Sequence, residues 1–187
     1  MRRSGPQYAA FLRGINMIGR RTVKMAELRR IFESLNLSDI TTILASGNVV
    51  FGSKPCDVSA LAQSIGRRLA VELGYPVGVI VRSLDELEAL AASNPFRGIP
   101  PSPRTKLLTT LLSNPPTGAF RAPYTSPEQD FTVLRVTDGA VFSVVTLAEG
   151  KRSSGVMSFL ERRFGTEQTT RNWNTILKVL QARREQS

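Results

Sequence analysis

The stretch VKMAELRRIFESLN, residues 23–36, sets Met25, Leu28, Phe32 and Leu35 at intervals of three, four and three, the repeat of a single helix face. On its N-terminal side, Gln7 to Leu12 is a short apolar run ending at Arg13-Gly14, which predicts a strand, and Gly14 to Thr22 is a loop rich in glycine and arginine. On its C-terminal side, Asp39 to Ala45 and Val49 to Ser53 read as two strands joined by Ser46-Gly47-Asn48. Asp57 is placed to cap a second helix, in which Leu61, Ile65, Leu69 and Leu73 recur every four residues and Gly74 stands just past the end. Pro76 to Arg82 then supplies a β-rich run. The order is βαββαβ, the ferredoxin-like arrangement, in which two helices cover one face of a four-stranded antiparallel sheet.

Beyond residue 83 the pattern changes. Ser83 and Glu86 form a capping box for a third helix that ends at Asn94-Pro95-Phe96. Residues 97–104 carry three prolines and two arginines and read as a linker or loop. Thr105 to Ser113 is a strand, and Phe131 to Val136 and Ala140 to Thr146 flank Asp138-Gly139, a hairpin signal. Met157, Leu160 and Phe164 mark a helix closed by Gly165; Trp173, Ile176, Leu177 and Leu180 mark the last one. The expected fold is therefore α+β, with a ferredoxin-like subdomain over 1–83 and a second α+β subdomain over 84–187, packed as one compact unit.

Composition narrows the chemistry. The 187 residues contain no histidine and a single cysteine, Cys56. That removes triads with a histidine base, an intramolecular disulfide, and the usual nitrogen and sulfur metal sites. No metal and no cofactor are expected. No apolar run approaches the ~18 residues of a membrane span, and the basic start is not followed by a signal-peptide core. A cytoplasmic protein without membrane contact is the expectation. The net charge of +10 is unevenly spread: residues 1–30 carry eight Lys/Arg against one acid, 31–150 nine against eleven, and 151–187 eight against three. Basic character at both ends suits an anionic partner, or simply a well-solvated surface.

Three polar clusters stand out. The first, Arg13-Gly14-Ile15-Asn16, follows a strand and leads through Arg20 and Arg21 to Lys24 and a helix, the arrangement in which backbone N–H groups face an anion. It has no Walker or dinucleotide-binding glycine pattern, and the same residues also suit a plain turn with solvated arginines. In the second, Ser46 and Asn48 flank Gly47 between two strands, which is also ordinary hairpin chemistry. The third, Thr169 to Thr175, opens the last helix, where Thr170 or Asn172 is placed to cap it. Trp173 shares its face with Ile176 and Leu177 and reads as core, leaving Arg171, Asn172 and Asn174 to be explained. An arginine beside free helix N–H groups is electrostatically awkward unless something negative lies between them.

The blocks YAAFLRGIN (8–16), VKMAEL (23–28), ASGNVVF (45–51), NPF (94–96) and TRNWNT (170–175) occur together and in this order. On them the chain resembles the uncharacterised bacterial family called the domain of unknown function 1697. The resemblance implies an α+β fold with a ferredoxin-like first part and implies no established activity. Where that family carries two glycines after the first asparagine, this chain has Met17-Ile18-Gly19. Because the polar clusters are also the family's signature blocks, the resemblance implies a shared site.

The reading that follows is a protein binding an anionic, phosphate-bearing small ligand through Arg13, Gly14, Asn16, Arg20, Lys24, Ser46, Asn48, Arg171, Asn172 and Asn174. Nucleic acid is the alternative partner. An enzyme acting on a phosphorylated substrate without histidine is a further alternative, with no catalytic residue identified. A purely structural role for the clusters is another. Oligomeric state is left open.

Overall fold

The computed structural model describes residues 5–16, 22–146 and 154–185. The chain forms two compact units, Met1–Ala89 with Leu177–Ser187, and Leu90–Ile176. The division thus falls a few residues beyond the boundary read at 83, and the last residues of the chain return to the first unit.

The first unit begins with strand β1 (Gln7–Arg13), helix α1 (Met25–Glu33), strands β2 (Ser38–Ile43) and β3 (Asn48–Gly52), helix α2 (Val58–Leu73) and strand β4 (Gly78–Ser83). The strands pair antiparallel in the order β2-β3-β1-β4, so β1 lies inside the sheet although it comes first in the chain. The period of two in a strand sends Tyr8, Ala10 and Leu12 to the same face as Val49 and Phe51. There they join Leu28 and Phe32 of α1 and Ile65, Leu69 and Leu73 of α2 in one core. Both helices therefore cover one face. The helix ends follow local chemistry: the Asp57 carboxylate accepts from Ser59 N at 2.8 Å, and Gly74 closes α2 at φ 79°. Helix α3 (Leu84–Ala92) opens with the capping box, Glu86 accepting from Ser83 N at 2.8 Å and Glu86 N donating to Ser83 Oγ at 3.1 Å. Helix α5 (Trp173–Glu185) ends in this unit, where Arg183 bridges Asp85 and Glu88 of α3 at 2.8 and 3.0 Å.

The second unit holds β5 (Thr105–Leu112), β6 (Tyr124–Thr125), β7 (Phe131–Val136), β8 (Ala140–Thr146), helix α4 (Val156–Phe164) and β9 (Gln168–Asn172). These strands make a second antiparallel sheet in the order β6-β7-β8-β5-β9. Helix α4 packs Val156 and Leu160 on Leu112, Val133, Val141 and Val145. Phe120, Tyr124, Phe131, Phe159 and Phe164 extend that core as an aromatic cluster, with Tyr124 and Phe159 stacked at 4.9 Å. Arg163 donates to the carbonyls of Thr117 and Ala119 and lies 5.4 Å over Phe120, fastening the loop after β5 to α4.

Two expectations are corrected here. Gln168–Asn172 is a strand that runs directly into the helix cap, rather than the opening of the helix itself. It pairs with β5, Thr109 opposite Arg171 and Thr110 opposite Thr170, whose hydroxyls meet at 2.8 Å. Two consecutive β-branched threonines prefer this pleated pairing, and the partner strand lies some sixty residues away, beyond reach of a local reading. The inner face of α5 also differs: Ile176, Val179 and Ala182 are buried, while Leu177 is 42% exposed.

Candidate functional site

The first two polar clusters meet, and their side chains are largely consumed in meeting. Gly14 and Asn16 take left-handed backbone angles, φ 79° and 52°, which turn the chain out of β1. Asn16 Nδ2 then donates to the carbonyl of Ala45 at 2.8 Å, while its Oδ1 accepts from Val23 N at 2.7 Å. One carboxamide thus ties the exit of β1 both to the start of α1 and to the β2–β3 turn. Leu12 N donates to the carbonyl of Gly47 at 2.8 Å, and Gly47 holds φ 74° beneath the side chain of Ile15. Asn48 is fully buried, its Nδ2 donating to the carbonyl of Ile43 at 2.9 Å and to Ser46 Oγ at 3.0 Å. The turn read as three residues is therefore a longer bend, Leu44 also lying at φ 58°.

The two described cations of the first cluster, Arg13 and Lys24, do not share a cleft. Arg13 is exposed at the end of β1, with its guanidinium laid over Gly78 of the neighbouring β4. Arg20 lies outside the described residues. Lys24 is exposed at the N-cap of α1, a position where Ser, Thr, Asp or Asn would normally accept from the first-turn N–H groups, and its own side chain makes no capping hydrogen bond. Lys24 lines a cleft of about 580 Å³ with Thr22, Glu27, Arg30, Ile31 and Ser34 from the α1 region, and Arg68 and Glu72 from α2. Arg68 pairs with Glu72 at 2.9 Å. Among the described residues, Lys24 and Arg30 have no ion-pair partner.

The third cluster lies in the second unit. Arg171 is half-buried, its guanidinium turned back to donate to Thr169 Oγ1 at 2.7 Å and to the carbonyl of Thr170 at 3.0 Å. Burial pushes it down to about 10, since a low-dielectric surrounding disfavours the cation. It stands on β9, before the helix, so the awkward placement beside free helix N–H groups does not arise. Asn172 caps α5, its Oδ1 accepting from Asn174 N at 2.9 Å. Both asparagines line a second cleft, of about 340 Å³, with Ile99, Pro100, Pro101, Ser102, Thr105 and Leu107.

The first two clusters lie within residues 6–142, which match the family model described as "Protein of unknown function (DUF1697)"; the third lies beyond the matched region. The chain belongs to the DUF1697 family. A conserved bacterial protein, SP0830 from Streptococcus pneumoniae, has a solved structure similar to this DUF1697 chain, with a TM-score of 0.68 at 21% identity, covering 95% of this chain and 98% of its own. That likeness is one of fold. No curated protein matches the sequence.

The first cleft of this DUF1697 protein contains two cations that the motifs do not mark, Arg30 and Arg68. Their only sequence signal is position: both lie off the apolar stripes of their helices, where solvated lysines and arginines are commonplace. Groups of histidine, cysteine and acids suited to a metal are absent among the described residues. No helix among them is long and apolar enough to cross a membrane.

Proposed function

We propose that this protein binds a small phosphate-bearing ligand in the cleft between α1 and α2. One observation carries the reading: Lys24, Arg30 and Arg68 line a single cleft that runs along α1 from its N-cap to its last turn, and the first two have no carboxylate partner among the described residues. Two unpaired cations on a concave surface repel each other less when an anion lies between them. The first turn of α1, which Lys24 does not cap, adds the positive end of the helix dipole, and Thr22 supplies a hydroxyl. Glu27 and Glu72 on the same rim favour a compact anion held at the cations over a long polyanion sliding across the face.

Single-stranded nucleic acid is disfavoured as the partner because it calls for exposed aromatic platforms, and each of the thirteen aromatic residues here is buried or half-buried. The test is a thermal-shift titration with inorganic pyrophosphate at constant ionic strength. Saturation at 100 times the dissociation constant stabilises by about 2.7 kcal/mol, a rise of several degrees. The proposal fails if pyrophosphate moves the melting temperature no more than an equal ionic strength of sodium chloride.

A further inference from the structure

The second cleft differs in kind from the first, and the phosphate site proposed between α1 and α2 does not use it. Among the described residues its lining contains no charged one. Ile99, Pro100, Pro101 and Leu107 supply apolar walls, two of them rigid rings. The polar groups are two carboxamides, Asn172 and Asn174, and two hydroxyls, Ser102 and Thr105. Its size, about 340 Å³, falls within the range of small-ligand clefts, roughly 300 to 1,000 Å³.

The hydrogen bonds of the lining identify which groups are available. Asn172 spends its Oδ1 on the N–H of Asn174, which leaves its Nδ2 as a donor. Ser102 Oγ accepts from Arg104 N at 3.2 Å and retains its hydroxyl proton, while Ser102 O accepts from Thr105 N at 3.0 Å. That turn fixes residues 99–102 beside the start of β5. The side chain of Asn174 has no hydrogen bond to any described residue, although it sits on the first turn of a regular helix. A carboxamide presents a donor and an acceptor side by side in one plane. The small molecule that matches both at once and also offers a flat apolar face is a purine with a donor beside an acceptor on one edge: an asparagine pairs with adenine through N6 and N7 in this way.

We infer that this cleft is a binding site for the adenine base of an uncharged nucleoside, read by the Asn174 carboxamide, with Pro100, Pro101 and Leu107 against the ring. A phosphate group is not required and finds no cation among the described residues of the lining. Ser102 and Thr105 are the groups placed to meet sugar hydroxyls.

Adenosine, titrated into the full-length protein and followed by saturation-transfer NMR and calorimetry, tests this. Saturable binding is expected. Asn174→Asp keeps the acceptor and removes the donor, so affinity should fall by about tenfold or more. The fold is not at risk in this variant, because an acid in the first helical turn is favourable, and an unlowered melting temperature verifies it. Guanosine, which offers two acceptors on that edge, should bind about tenfold more weakly than adenosine. The inference is overturned if adenosine shows no saturable binding at millimolar concentration, if Asn174→Asp binds it as well as the wild type, or if guanosine or methyl glucoside binds equally well.

Discussion

The side chain of Ile15 occupies the space into which Gly47 would project a side chain: a Cβ built there would lie 2.5 Å from Ile15 Cδ1 and 3.0 Å from Leu12 Cβ. The glycine of the second motif is thus required by the isoleucine of the first. Gly47→Ala should combine the cost of a left-handed alanine, about 1–2 kcal/mol, with overpacking of about 1–3 kcal/mol. Urea unfolding is expected to give a loss of about 2–5 kcal/mol, and a loss below about 0.5 kcal/mol would contradict the packing described.

Asn16→Ala leaves the Ala45 carbonyl and the Val23 N–H without the partners they now have at 2.8 and 2.7 Å. Each unpaired group costs about 1–3 kcal/mol where water cannot replace the bond. A destabilisation in that range, with affinity for pyrophosphate unchanged per folded molecule, is the expected result. Loss of binding without loss of stability would make Asn16 a ligand contact rather than a tie between loops.

Gln168 on β9 is 5% exposed, and among the described residues neither its Nε2 nor its Oε1 has a hydrogen-bond partner. A buried amide without partners is costly, whereas an apolar side chain of similar size is not. Gln168→Leu should raise stability by about 1 kcal/mol in urea unfolding, and a loss would show that the amide has a partner, such as a buried water.

Tyr8 in β1 has its phenol pushed above the ordinary tyrosine value, chiefly by burial and then by the neighbouring Cys56 thiol. The folded state therefore holds this proton more tightly than the unfolded state. The contribution is fully present below about pH 10, the unfolded value, and is lost as pH rises through the folded value. Stability should fall above about pH 10, and Tyr8→Phe should fall less steeply over the same window. Parallel curves for the two proteins would remove Tyr8 as the cause.

Where a few neighbouring residues decide the outcome, the sequence was readable. The Asp57 cap, the Gly74 stop, the Ser83–Glu86 box and the Asp138-Gly139 hairpin each follow from chemistry within four residues, and each is present. Placing Gln168–Asn172 needed knowledge that β5 had an open edge for it, which is a tertiary fact. The polar motifs were legible as clusters but not as ties: Asn16 reaches Ala45 across twenty-nine positions, and nothing in either segment announces the other. Arg30 and Arg68 lie on separate helices, and only the packing of α1 and α2 on one face of the sheet brings them to one cleft.

Calorimetric titration of inorganic pyrophosphate into the wild type and into a Lys24→Gln/Arg30→Gln variant tests the phosphate site most directly. Both side chains are exposed, so the variant should melt as the wild type does. Charge-assisted hydrogen bonds contribute about 1.5–3 kcal/mol each, so saturable binding to the wild type should weaken by about a hundredfold or more in the variant. Equal affinity in the two proteins, or no saturable binding to either, would contradict it.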